Sequence, residues 1–148
     1  MLVRSRKKRI KGSTDACDIF KAVMKAETLE DKAKEHFWAC YLDVKHHILR
    51  LELVTLGLAN QSLVHSREVF RPAVALSASA VLVCHNHPSG DPTPSIEDIN
   101  TTRMLKQAGD LLGIQLLDHV IVGDDDHSPS SISLREWLQD SLDHDVIW

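Results

Sequence analysis

The sequence predicts an α/β (α+β) domain, a mixed β-sheet covered by helices. Short apolar runs of strand length alternate with stretches of helical periodicity. Only a turn separates the first two strand-like runs, so they read as an antiparallel hairpin. At 148 residues, the chain has the length of one ordinary domain. A chain of about 150 residues buries roughly 68–70% of its unfolded surface. Such a domain folds without a disulfide or a structural metal, so any metal site in it would serve chemistry.

Residues 1–12 form a basic arm and 13–148 the domain. In 13–26, Ala16, Ile19, Phe20, Val23 and Met24 recur at helical spacing, with Thr14 or Asp15 as the cap. Residues 36–42 (HFWACYL) are short, aromatic and apolar, and read as a buried strand. Asp43 to His47 is a turn. In 48–56, Leu49, Leu51 and Leu53 alternate with Arg50 and Glu52, which predicts a strand with one wetter face. Residues 57–66 form a polar loop. Ser66 starts a helix that Pro72 limits or kinks. Residues 79–84 (SAVLVC) fit a central strand, and Pro, Gly and Ser fill 88–95. A long helical pattern over 96–112 ends at Gly113. Residues 114–122 form another strand, closed by Gly123 and an acidic loop, and 131–142 a short helix.

Composition is that of a soluble globular protein, 43% hydrophobic and 26% charged. No apolar run reaches the roughly 18 residues of a membrane span, so no membrane partner is expected. The basic start has no apolar run behind it, so it is not read as a secretory signal. Cys17, Cys40 and Cys84 sit among apolar neighbours and read as buried thiols of a cytoplasmic protein.

The net charge of −4 hides an asymmetry. Residues 1–11 carry six basic side chains and no acid, which leaves −10 on the remainder. Such an arm is expected to be loosely held. It fits phosphate binding to nucleic acid. It also fits, and more readily, a solubilising tail or docking on the protein's own acidic body.

Nine histidines are the first sign of chemistry. His85 and His87 stand two apart at the end of a strand, so their imidazoles share one side. The chain then turns through a Pro/Gly-rich loop and enters a helix at Ser95. Ser95 is a good N-cap, and Asp98 falls three residues later, where a carboxylate suits the helix dipole. The first turn of that helix can face the strand end, so Asp98 can complete a His₂Asp set. Three protein ligands with one open position describe catalytic zinc. Two His and one carboxylate also describe non-haem iron, and Asp98 could serve only as a capping-box partner of Ser95.

The spacing His85-x-His87-x₇-Ser95-x₂-Asp98 matches the signature of the JAMM (MPN+) metallopeptidases. The string HNHPSGDPTPS, with Asp98 and Thr101, resembles the RadC family of bacterial JAMM-type proteins. Similar echoes are Glu-x-Phe and Leu-Asp in 35–43, Gly57 and Asn60, Val64-His65-x-Arg67-Glu68-Val69, and Leu117 to Gly123. The resemblance spans about residues 13–138. It implies an MPN fold related to the cytidine-deaminase architecture, and a Zn²⁺ held by His85, His87 and Asp98. It implies Ser95 as a hydrogen-bonding partner of the water or oxyanion. By its position before the first strand, Glu35 is the implied general base, with Glu68 as second choice. The implied activity is hydrolysis of a peptide or isopeptide substrate. Full-length members of the family carry a helix-hairpin-helix region ahead of this domain, and the chain is expected to be a short form without it.

An alternative from another class is a non-catalytic DNA-associated or protein-docking module, linked to DNA repair or recombination, that uses the basic arm. Metal-dependent cleavage of nucleic acid is a third reading, disfavoured because nucleases commonly pair two metals. His46 and His47 read as solvated turn residues, and His65 as exposed or supporting the site. His119, beside Asp118, reads as structurally paired. Cys84 alternates to the face opposite His85 and should be packed. Trp38, Trp137 and Trp148 read as core or terminal packing.

Overall fold

The computed structural model describes residues 8–26, 33–57 and 64–148. Its helices are α1 (Ser13–Lys25), α2 (Ser66–Ala75), α3 (Ile96–Leu112), α4 (Leu134–Trp137) and α5 (Leu142–Ile147). Its strands are β1 (Glu35–Leu42), β2 (Ile48–Gly57), β3 (Ala80–Asn86), β4 (Gln115–Val122) and β5 (Ser131–Ser133). They form one mixed sheet in the order β2-β1-β3-β4-β5. β1 runs antiparallel to β2 and β3, β3 parallel to β4, and β4 antiparallel to β5. The parallel pair is joined through α3, as a parallel connection requires. Asn60, with most of the polar loop, and Arg4, Arg6 and Lys7 of the arm lie outside the described residues.

Period-two alternation divides the core between the two faces of the sheet. Ala80, Leu82 and Cys84 of β3 join Trp38, Cys40, Val120 and Val122 beneath Ala16, Phe20 and Met24 of α1. Val81 and Val83 join Phe37, Ala39 and Tyr41 on the other face, beneath Val69, Phe70 and Ala73 of α2 and Leu105 of α3. Every residue of β3 is buried. Complete burial of a large side chain such as Phe20 contributes about 1.5–3 kcal/mol. Burial pushes the Cys40 thiol up to about 12 and that of Cys84 well above its usual value. None of the described helices is long and apolar enough to cross a membrane.

Several details differ from expectation. The alternation of Leu49, Leu51 and Leu53 is broken by two irregularities. Tyr41 and Leu42 pair with Arg50 and Ile48, and Phe37 and Trp38 with Thr55 and Leu53. Leu49 and Val54 are thus the extra residues, and both turn to the α2 side while Leu51 stays on the α1 side. A bulge shifts the pleat by one residue, which periodicity alone cannot reveal. The single helix over 131–142 is instead β5, α4 and α5. Ser131–Ser133 pairs with Val120–Val122, and Ser133 and Ser141 each cap a new helix by accepting from Glu136 N–H and His144 N–H. Leu134 and Leu138 take the inward positions of the short helix, so Trp137 stays 48% exposed and is not core.

The arm is not loosely held throughout. Ile10 is buried, its N–H donates to the His46 carbonyl, and Ile48 N–H donates to the Lys8 carbonyl. Residues 8–10 thus lie along the start of β2. α2 continues through Pro72 for only three residues, in keeping with a proline-limited helix.

Candidate metal centre

β3 and β4 end together, and the site lies beyond their carboxyl ends, the usual place for function in a parallel pair. His85 lies on the α2/α3 face and registers against Phe37 of β1 and Ile121 of β4. Phe37 stacks on the His85 ring at 6.0 Å and meets the His119 ring edge-on at 5.6 Å. His87 follows the strand, and its N–H donates to the Val122 carbonyl at 2.9 Å. The chain then turns at Gly90, whose φ is +91°. A side chain at Gly90 would meet Asp124, and one at Gly123 would meet the Gly90 carbonyl. The two loops can pack this closely only with glycine at both positions.

The turn leads to Ser95, the N-cap of α3. Ser95 Oγ accepts from Asp98 N–H at 3.2 Å, and Asp98 Oδ2 accepts from Ser95 N–H at 2.8 Å. This is a complete capping box. The same carboxylate faces the histidines. His85 Nε2 lies 3.0 Å from Asp98 Oδ1, His87 Nε2 lies 3.1 Å from Oδ2, and the two Nε2 atoms stand 3.0 Å apart. Cap and site partner are therefore not alternatives for Asp98, which serves both.

Among the described residues, His85, His87 and Asp98 form the one His/Cys/Asp/Glu group able to hold a metal ion. Donors about 2.0–2.1 Å from a tetrahedral ion stand roughly 3.3 Å from one another, so the observed spacing fits. The His87 Nδ1–H donates to the Asp91 carbonyl at 2.8 Å, which leaves Nε2 with its lone pair toward the group. Burial would raise the Asp98 carboxyl, yet the neighbouring imidazoles of His85 and His87 and the Ser95 N–H hold it well below the usual carboxylate range. Burial would lower His87, but its bonds to Asp98 and the Asp91 carbonyl raise it instead.

Glu35 opens β1 rather than preceding it. Its Oε1 lies 4.0 Å from His85 Nε2, with the side chain 14% exposed. Glu68 points elsewhere and is paired on the surface with Arg71 at 3.2 Å and Arg67 at 3.6 Å. Glu52 is half-buried on β2 beside Arg50, 3.7 Å away. Beside His87, on the α1 side of the sheet, opens a cleft of about 300 Å³ whose lining includes Lys21 and Lys25 of α1 and Asp124 and Asp125 of the loop after β4.

Three residues near the centre carried no functional assignment from sequence. Asn86 clamps the backbone on both sides of Glu35, accepting from His36 N–H at 2.6 Å and donating to the Lys34 carbonyl at 3.0 Å. Its only sequence signal is a polar residue between the two histidines. His119 is fully buried and sits 2.7 Å from both His85 Nδ1 and Thr102 Oγ1. Burial, with the nearby His85, pushes it down to about 3, so it is neutral. Thr102 stands four residues after Asp98 and donates to the Asp98 carbonyl at 2.7 Å. Next to His119, Asp118 accepts from Ser133 Oγ–H, Arg135 N–H and His119 N–H. His46 holds a positive φ in the turn, His47 pairs with Asp43, and His65 precedes α2 and is exposed.

A family model for the RadC-like JAB domain matches residues 10–138. A UPF0758 protein of Geobacter sulfurreducens is 56% identical over 94 residues, covering 64% of this chain and 41% of that protein. A UPF0758 protein of Caldanaerobacter subterraneus subsp. tengcongensis is 49% identical over 110 residues, covering 74% and 46%. One of Chlorobaculum tepidum is 45% identical over 118 residues, covering 80% and 51%. The chain thus spans about half the length of the curated relatives it matches.

Proposed function

The chain belongs to the RadC-like JAB domain family, and from that premise we propose that it is a zinc-dependent hydrolase of peptide or isopeptide bonds. The observation that supports this most is the meeting of His85, His87 and Asp98 at 3.0–3.1 Å with Glu35 beside them. His85 Nε2, His87 Nε2 and the Asp98 carboxylate would hold the ion. When bound, it supplies Lewis acidity, polarising a carbonyl and acidifying a water to a pKa of about 7. Non-haem iron uses the same ligand types, and zinc is preferred on the family resemblance.

The remaining chemistry belongs to the protein. Glu35 Oε1, 4.0 Å from His85 Nε2, is the base that takes a proton from the attacking water and returns it to the leaving amine. Asn86 holds the peptide units on either side of Glu35 and so fixes where that carboxylate points. Ser95 Oγ accepts from Asp98 N–H, and its own hydroxyl proton would donate to a developing oxyanion.

The test compares three proteins on pools of quenched peptides and on an isopeptide-linked reporter. Glu35→Gln should keep one metal per chain and lose turnover by at least ~100-fold, the usual span of a proton-transfer role. Asp98→Asn should lose the metal and the activity together. Full turnover by Glu35→Gln would remove Glu35 from the mechanism. Undiminished turnover by rigorously metal-free protein would overturn the whole reading.

A further inference from the structure

The nitrogens that face away from the centre form a closed hydrogen-bond path, and its direction can be worked out from one end. Thr102 Oγ–H donates to the Asp98 carbonyl at 2.7 Å. That hydroxyl has one proton, so toward His119 Nδ1, also at 2.7 Å, it accepts, and the proton between them sits on Nδ1. His119 is fully buried and has no carboxylate on either nitrogen, so it is a neutral ring. Its Nε2 is then an acceptor, and the His85 Nδ1–H at 2.7 Å donates to it. The path runs from β3 through β4 into α3 and ends on the backbone of Asp98.

We infer that His119 and Thr102 are positioning residues, which hold His85 in its Nδ1–H form so that its Nε2 lone pair stays directed into the centre. The other form has a strong pull of its own. With Asp98 Oδ1 at 3.0 Å from His85 Nε2, a proton on Nε2 would find a carboxylate acceptor, and the ring could no longer bind a metal there. The acceptor supplied by His119 opposes that outcome. Because the path closes on the Asp98 carbonyl, it also ties the strand ligand to the helix ligand. Outer partners of this kind typically change metal affinity by about 10–100-fold. The inference rests on the metal-centre reading, but the proton's position on His85 can be measured without any metal.

The experiment uses the full chain with ¹⁵N-labelled histidine at about pH 8, above the ordinary imidazole range. Long-range ¹H–¹⁵N spectra of metal-free protein should report His85 as Nδ1–H in the wild type. In His119→Phe and in Thr102→Val they should report a loss of that form. Zinc affinity by chelator competition should fall about 10–100-fold in both variants. Thr102→Ser should restore both readouts, because its hydroxyl reproduces the bonds, whereas a merely structural role would not separate Ser from Val. If His119→Phe fails to fold, the Thr102 pair still decides the matter. His85 found as Nε2–H in the wild type would overturn the inference, as would an unchanged proton position and zinc affinity in Thr102→Val. A wild type that binds no zinc, with His85 as Nδ1–H and that form lost in Thr102→Val, would instead sink the hydrolase reading and leave the positioning role standing.

Discussion

Asp98 carries two duties with one carboxylate. It closes the capping box of α3 and faces both histidines. The two duties should separate by substitution. Ser95→Ala removes only the side-chain half of the cap, so urea unfolding should show a loss of about 1 kcal/mol with metal content unchanged. Asp98→Asn should lose the metal by elemental analysis while staying folded. Asn86→Ala would remove the bond from His36 N–H to the Asn86 side chain, and denaturant unfolding should show a loss of about 1–3 kcal/mol. The ligand set could be read from the sequence because its spacing is local: a strand end, a turn and a helix start within fourteen residues. Asn86 and His119 could not be read in the same way. Their partners lie 50 and 34 residues away, and polar side chains in a buried strand do not announce which backbone or ring they meet.

Asp118 adds to the short ladder that joins β4 and β5. Its carboxylate is raised by burial, and it accepts from Ser133, Arg135 and His119. Asp118→Ala leaves three donors without an acceptor, so a loss of ~3 kcal/mol in urea unfolding is expected. The loops that end β3 and β4 depend on each other in a similar way. Gly123→Ala would drive a methyl group into the Gly90 carbonyl and Pro92, so overpacking of about 1–3 kcal/mol is expected. Zinc affinity should fall with it, since that loop joins His87 to Asp98. Elements were readable where periodicity was unbroken, as in α1, β3 and α3. They were not where the chain changes state within a few residues. Ser131–Ser133 is too short for any pattern and exists because the edge of β4 offers it partners. Leu49 and Val54 defeat the alternation of β2 by one-residue slips.

The centre is assembled from β1, β3 and α3, on a sheet whose two faces already hold separate apolar cores. The protein should therefore fold without metal and be stabilised further by it. Zinc at 100 times its dissociation constant adds about 2.7 kcal/mol. For a domain of this size that corresponds to a rise in Tm on the order of 5–10 °C, reversed by a chelator and absent in Asp98→Asn. The mixed sheet and its helical layers were expected from the alternation of short apolar runs with helical segments. How the arm lies against β2 was not, because only Ile10 among its described residues has an apolar reason to dock. Metal content measured by elemental mass spectrometry, on protein purified without a histidine tag or chelator, bears most directly on the account. The His85→Ala/His87→Ala double variant would be prepared in parallel. One zinc per chain in the wild type and none in the variant is the expected result. No metal in either protein, and no uptake when zinc is added, would contradict the assignment of a metal centre.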